Sequence, residues 1–144
     1  MREDRATGEL TAARQALAAA EETLAARQHD LAVFEETKEE RRDRIYATVI
    51  GRAVSREQLD MATEGVARID EEGALKADNV ARAEAERQAR EEAADAARAK
   101  LNLATKNRMK IDEHRAVWLM DEAKAQEDRA EAELEDFTVR KEEI

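Results

Sequence analysis

Proline occupies none of the 144 positions of this chain. Proline removes a backbone donor and clashes with the preceding helical turn, so it is the residue most hostile to a helix interior. A chain without it can continue a helix almost anywhere, and only four glycines remain as punctuation. Aromatic residues make up 3%, too few for the thick core of a compact globule. Much of the 42% hydrophobic fraction is alanine, which has the highest helix propensity and lets two helices approach closely. Together with 42% charged residues, this is the composition of long helices and coiled coils. High charge with few aromatics also describes unfolded chains. The ordered spacing of the apolar residues argues against disorder.

Leu10, Leu17, Leu24 and Leu31 fall seven apart, and Ala13, Ala20 and Phe34 take the position three further on, with Arg27 as a break. This is the a/d spacing of a coiled-coil seam. One helix carrying such a stripe cannot bury it alone, so a partner helix is required. The seam weakens at Lys38, inside the charged run Glu35–Arg44, and resumes with Ile45, Tyr46, Val49 and Ile50. The clearest punctuation follows at Gly51-Arg52-Ala53-Val54-Ser55. Gly51 suits the position just past a helix C-terminus. Ser55, the only serine, with Gln58 three residues on, fits a capping box. A catalytic serine is disfavoured there, because neither histidine is near it in sequence and no nucleophile elbow surrounds it.

A second apolar series, Leu59, Ala62, Val66 and Ile69, runs between Ser55 and Gly73, with Gly65 inside it. From Ala74 to about Lys141 the pattern reads as one long helix, carrying Val80 and Ala83, then Leu101, Ala104, Ile111 and Trp118, then Leu119, Ala123, Ala130, Leu134 and Phe137. The stripe changes phase near Trp118, as a stutter would. Glu86–Arg90 and Asp136–Arg140 are favourable i,i+4 pairs. A turn at Gly51–Ser55 leaves Trp118 to Phe137 without a partner. A short helix at the tip, with Asp70-Glu71-Glu72-Gly73 as a second turn, matches the arms better and lets that segment meet Leu10–Leu24. The second arrangement is preferred. The expected fold is therefore all-α: a long antiparallel two-helix coiled-coil hairpin with a short helix at the tip. Residues 1–50 form the first long helix, 51–73 the tip loop and short helix, and 74–144 the second long helix of one elongated unit. At the rise of a helix the first arm spans about 75 Å.

The net charge of −10 argues against nucleic acid, which needs a basic stripe, and against a bare anionic membrane surface. The apolar stretches are too short to span a bilayer. Met1-Arg2-Glu3-Asp4-Arg5 is followed by no apolar run, so no secretory signal is expected. The absence of cysteine fits a cytoplasmic location. No glycine-rich phosphate loop is present. His29 and His114 lack a second ligand at metal-binding spacing, and Asp112-Glu113-His114 points to different faces of a helix. The Glu-x-x-His pairs of carboxylate-bridged metal bundles do not occur. No catalytic residue, metal site or cofactor is expected, and the chain reads as a protein-binding element, not an enzyme.

Two groups stand out as candidate partner contacts. Trp118, Leu119 and Met120 are three adjacent large apolar residues that cannot all face one seam. Leu59, Met61, Val66 and Ile69 either close the hairpin tip or dock a partner.

This layout resembles the cytoplasmic stalk proteins of type III secretion systems, the YscO (SctO) family, with FliJ as flagellar relative. The resemblance rests on the leucine-spaced first helix, on Glu35–Arg44 leading into Ile45-Tyr46, and on Gly51–Ser55. It also rests on Ser55-Arg56-Glu57-Gln58-Leu59, on Val66-Ala67-Arg68-Ile69 and on the acidic, aromatic-ended tail Glu127–Phe137. It implies a coiled-coil stalk, peripheral to a membrane secretion apparatus, that links a hexameric secretion ATPase to the export gate and aids ATPase assembly or the handling of chaperones and substrates. It assigns the paired chain ends around Arg2, Arg5, Arg129, Arg140 and Lys141 to the ATPase, and Leu59, Met61, Val66 and Ile69 to the export-gate protein. The rival readings are a generic coiled-coil scaffold, such as a homodimeric structural protein, and a helical chaperone. A hairpin is monomeric whereas a continuous rod needs a second chain, and the Gly51–Ser55 punctuation favours the hairpin.

Overall fold

The computed structural model describes residues 2–142. Two helices account for nearly all of them, α1 (Arg2–Ala47) and α2 (Arg56–Glu142). Packing divides the chain into two units, each containing a piece of both helices. One is Gly8–Arg98; the other joins the residues up to Thr7 with those from Ala99 onward.

In the Gly8–Arg98 unit the two helices run antiparallel along one seam. Phe34 of α1 lies against Gly73 of α2, and eleven residues later Ile45 lies against Gly65. The leucine heptad is that seam. Leu10, Ala20, Leu24 and Phe34 are buried, and Ala13, Leu17 and Leu31 are half-buried. From α2 come Ala62, Ile69, Ala83 and Ala94, also buried. Arg27, the break in the heptad, is exposed. No polar or charged side chain is buried among the described residues. Charged residues instead bracket the seam: Arg41 meets Glu72 at 2.8 Å, and Arg42 hydrogen-bonds Asp70. The bond and charge of Asp70 hold the Arg42 guanidinium above its ordinary pKa. Such solvent-exposed pairs stabilise little.

The turn between the helices follows the sequence closely. After Ala47 the backbone tightens, with the Val49 and Ile50 amides both donating to the Tyr46 carbonyl. Gly51 then takes φ +70°, the left-handed region that glycine enters without steric cost. The Ser55–Gln58 capping box forms reciprocally. The Gln58 amide donates to Ser55 Oγ (3.2 Å) and the Ser55 amide to Gln58 Oε1 (2.9 Å).

The expected tip helix over 55–72 and the boundary at Gly73 have no counterpart, because α2 passes without interruption through both Gly65 and Gly73. The reason is steric. A Cβ at residue 73 would sit 2.7 Å from Phe34 Cε1, and one at residue 65 would sit 3.1 Å from Ile45 Cδ1. Both glycines are clearances for α1 side chains. Packing of those side chains outweighs the helix-propensity cost of about 1 kcal/mol per glycine.

In the second unit, α1 starts against α2 near residues 104–108. Ala6 is buried, Glu3 pairs with Arg108 at 2.9 Å, and Thr105 Oγ1 donates to Glu3 Oε1 at 3.2 Å. Beyond Thr105 every described residue of α2 is exposed except Glu122 and Ala125, which are half-buried. The expectation that Trp118 to Phe137 meets Leu10–Leu24 fails: Trp118, Leu134 and Phe137 are 62%, 71% and 67% exposed. With the single turn at residues 48–55, α2 has 87 residues and α1 has 46, so α1 is too short to cover it. The expected Glu86–Arg90 pair forms at 2.7 Å. Among the described residues Asp136 and Arg140 form no ion pair.

Candidate partner-binding surfaces

The helix pair leaves open grooves among the described residues. Its grooves are shallow and its chemistry lies in exposed apolar and charged side chains. Among the described residues no group of three or more His, Cys, Asp or Glu is placed to hold a metal ion. No described helix is apolar enough over a sufficient length to cross a membrane.

The first candidate surface lies at the turn. Leu59 and Met61 are 51% and 71% exposed. They sit in the first turns of α2, where the capping box fixes the helix start. Ile45, Thr48, Gln58, Met61 and Ala62 line a shallow groove there. Val66 is half-buried, and Ile69, at 3% exposure, belongs to the seam and cannot meet a partner. Ala62 and Ile69 fall seven apart on the face that α1 covers, whereas Met61 lies off that face; Leu59 keeps the phase of Val66 and Gly73 but stands in the first turn of α2 and is exposed. Sequence reasoning missed Ile50, which it assigned to the seam. Ile50 is exposed beside the turn. Its signal was available, since Val49 already occupies the seam phase set by Ile45 and two adjacent residues cannot both face it.

The second candidate surface lies in the unit that holds the start of α1. Arg2 and Arg5, with Ala6, Leu103, Ala104 and Asn107, line a shallow groove between the helices. Arg129, Arg140 and Lys141 are not brought to this groove. Arg129 lies 22 residues beyond Asn107 on the same helix, about 33 Å along its axis. The expectation of paired chain ends is thereby corrected: α1 begins partway along α2, and α2 continues alone.

The third surface is that continuation. Trp118, Leu119 and Met120 are all exposed, as the sequence suggested for at least one of them, and Met109, Ile111 and Val117 before them are exposed too. Leu134, Phe137 and Val139 extend the series. These residues are distributed around the helix, with Met109, Met120, Leu134 and Phe137 sharing one face and Ile111 and Trp118 the opposite one.

An antiparallel helical hairpin with a glycine turn, a serine cap and exposed apolar residues along its helices defines a class of α-helical coiled-coil proteins. The family of type III secretion protein YscO matches residues 1–140, and the chain belongs to that family. It is thus a component of type III secretion, whose partners are proteins of that apparatus. The chain significantly matches no curated protein and no solved structure.

Proposed function

We propose that the chain is a non-enzymatic coiled-coil stalk of the secretion apparatus, working in the cytoplasm beside the membrane and linking the hexameric secretion ATPase to the export gate. The family membership carries this reading. The reciprocal Ser55–Gln58 cap supports it too, since a well-made turn lets one chain supply both helices of the hairpin. In this reading Leu59 and Met61, with Ile50 beside them, meet the export gate. Val66 contributes an edge, and Ile69 holds the helix in place from within. The cations Arg2 and Arg5 face the ATPase from the start of α1, and Arg129, Arg140 and Lys141 do so from the far part of α2. Helix faces left exposed in between are available to secretion chaperones.

The mechanism needs stiffness and no chemistry. Packed helices transmit displacement because their seam is close-packed and has few alternative arrangements. Grouped contacts at different positions along α2 allow one chain to engage two machines at once. The test is binding of the full chain to the purified cytoplasmic domain of the gate and, separately, to the ATPase. A Leu59→Asp/Met61→Asp variant is expected to lose gate binding while keeping its helical circular dichroism and its ATPase binding. Full gate affinity in that variant would overturn the assignment of the tip.

A further inference from the structure

We propose that α2 between Met109 and Phe137 docks a helix of another protein that carries Lys or Arg beside its own apolar stripe. The inference stands on this segment alone and does not depend on the stalk reading. Met109, Ala116, Ala123, Ala130 and Phe137 fall seven apart, and Met120 and Leu134 lie four residues after Ala116 and Ala130. That is an a/d seam with apolar residues at every first position and at alternate second ones, yet every large member of it is exposed; Met120 and Leu134 are 73% and 71% accessible. Val117 and Leu119 widen it on either flank and are exposed as well. The other apolar stripe of this segment holds only Ile111, Trp118 and Val139 as large residues, so the Met120–Leu134 face offers more apolar area.

Charge selects the occupant. Glu113 and Glu127 occupy the seam positions that Met120 and Leu134 fill in the alternate heptads. Asp112 and Glu131 flank the same face, with Lys124 beside Glu131, while Glu133 and Arg115 share one position further round the helix. A second copy of this chain in parallel register would bring Glu113 against Glu113 and Glu127 against Glu127 at the seam, and like charges so placed disfavour pairing. A helix with cations opposite Glu113 and Glu127 would neutralise them while covering Met120, Leu134 and Phe137. Polar residues at single seam positions set partner choice and register in coiled coils, and here two of them stand two heptads apart.

The test uses the full chain and two labelled synthetic helical peptides of about four heptads, identical in their leucine seam. One is flanked by Lys, the other by Glu. Fluorescence anisotropy is expected to show the Lys peptide binding about tenfold or more tighter than the Glu peptide. A Glu113→Lys/Glu127→Lys variant is expected to reverse that preference, and Leu134→Asp to weaken both peptides while helicity is kept. Trp118 lies on the far side of the helix, so its emission is expected to stay unshifted on binding. Equal affinity for the two peptides, an unchanged preference in the charge-reversed variant, or a blue shift of Trp118 would each overturn the proposal. So would a dimer in sedimentation equilibrium that Leu134→Asp dissolves, because a second copy would then be the occupant.

Discussion

The Phe34 ring occupies the space that a methyl group on residue 73 would need: a Cβ there would lie 2.7 Å from Cε1 and 3.1 Å from Cζ. Gly73→Ala therefore sets two effects against each other. Helix propensity favours alanine by about 1 kcal/mol, but the ring is buried, is 5% exposed, and has Arg41 stacked 5.9 Å from its centroid. Overpacking of a seated side chain costs about 1–3 kcal/mol. Gly73→Ala is expected to lower the thermal midpoint. Gly65→Ala is the control, because Ile45 Cδ1 at 3.1 Å is the flexible end of a half-buried side chain; it is expected to be neutral or stabilising. Thermal melts followed by circular dichroism check both, and a stabilised Gly73→Ala would contradict the packing.

The cap makes a second prediction. Ser55→Ala removes the acceptor of the Gln58 amide and is expected to cost about 1 kcal/mol. In Gln58→Ala the Ser55 amide, which is exposed, can turn to water, so a smaller loss is expected. Urea unfolding of the two variants and wild type gives the comparison, and a neutral Ser55→Ala would contradict the reciprocal box.

Ile69 and Leu134 are both large apolar residues of α2, and they are expected to respond oppositely to aspartate. Ile69→Asp places a charge in the seam without a partner and is expected to destabilise by several kcal/mol. Leu134→Asp alters an exposed position and is expected to stay within about 0.5 kcal/mol of wild type. Chemical denaturation of the two variants measures the contrast. Equal losses would mean that Leu134 is packed.

The seam of α1 was legible because leucine every seventh residue has no other economical explanation, and Leu10, Leu24 and Phe34 are buried as that spacing requires. The turn was legible for the same kind of reason, since glycine and serine at Gly51 and Ser55 fit distinct backbone requirements. Gly65 and Gly73 were ambiguous. A glycine inside a helix pattern either breaks the helix or makes room for a neighbour, and only the position of Phe34 and Ile45 on the other helix decides between them. A turn at Gly73 would match the arms and give Trp118–Phe137 a partner, but α2 is continuous there. A heptad stripe shows that a helix is suited to pairing and says nothing of whether the chain itself supplies the partner. For the same reason Ile69 was grouped with Leu59 and Met61, though Ile69 is buried in the seam and they are exposed.

The stalk reading is tested most directly by the hydrolysis rate of the purified secretion ATPase as this chain is titrated against it. The account expects the rate to rise and saturate, and an Arg2→Glu/Arg5→Glu variant of unchanged helicity to require higher concentrations for the same effect. An ATPase whose rate and assembly are unaffected by saturating chain would contradict the ATPase link, leaving a type III secretion component that binds elsewhere in the apparatus.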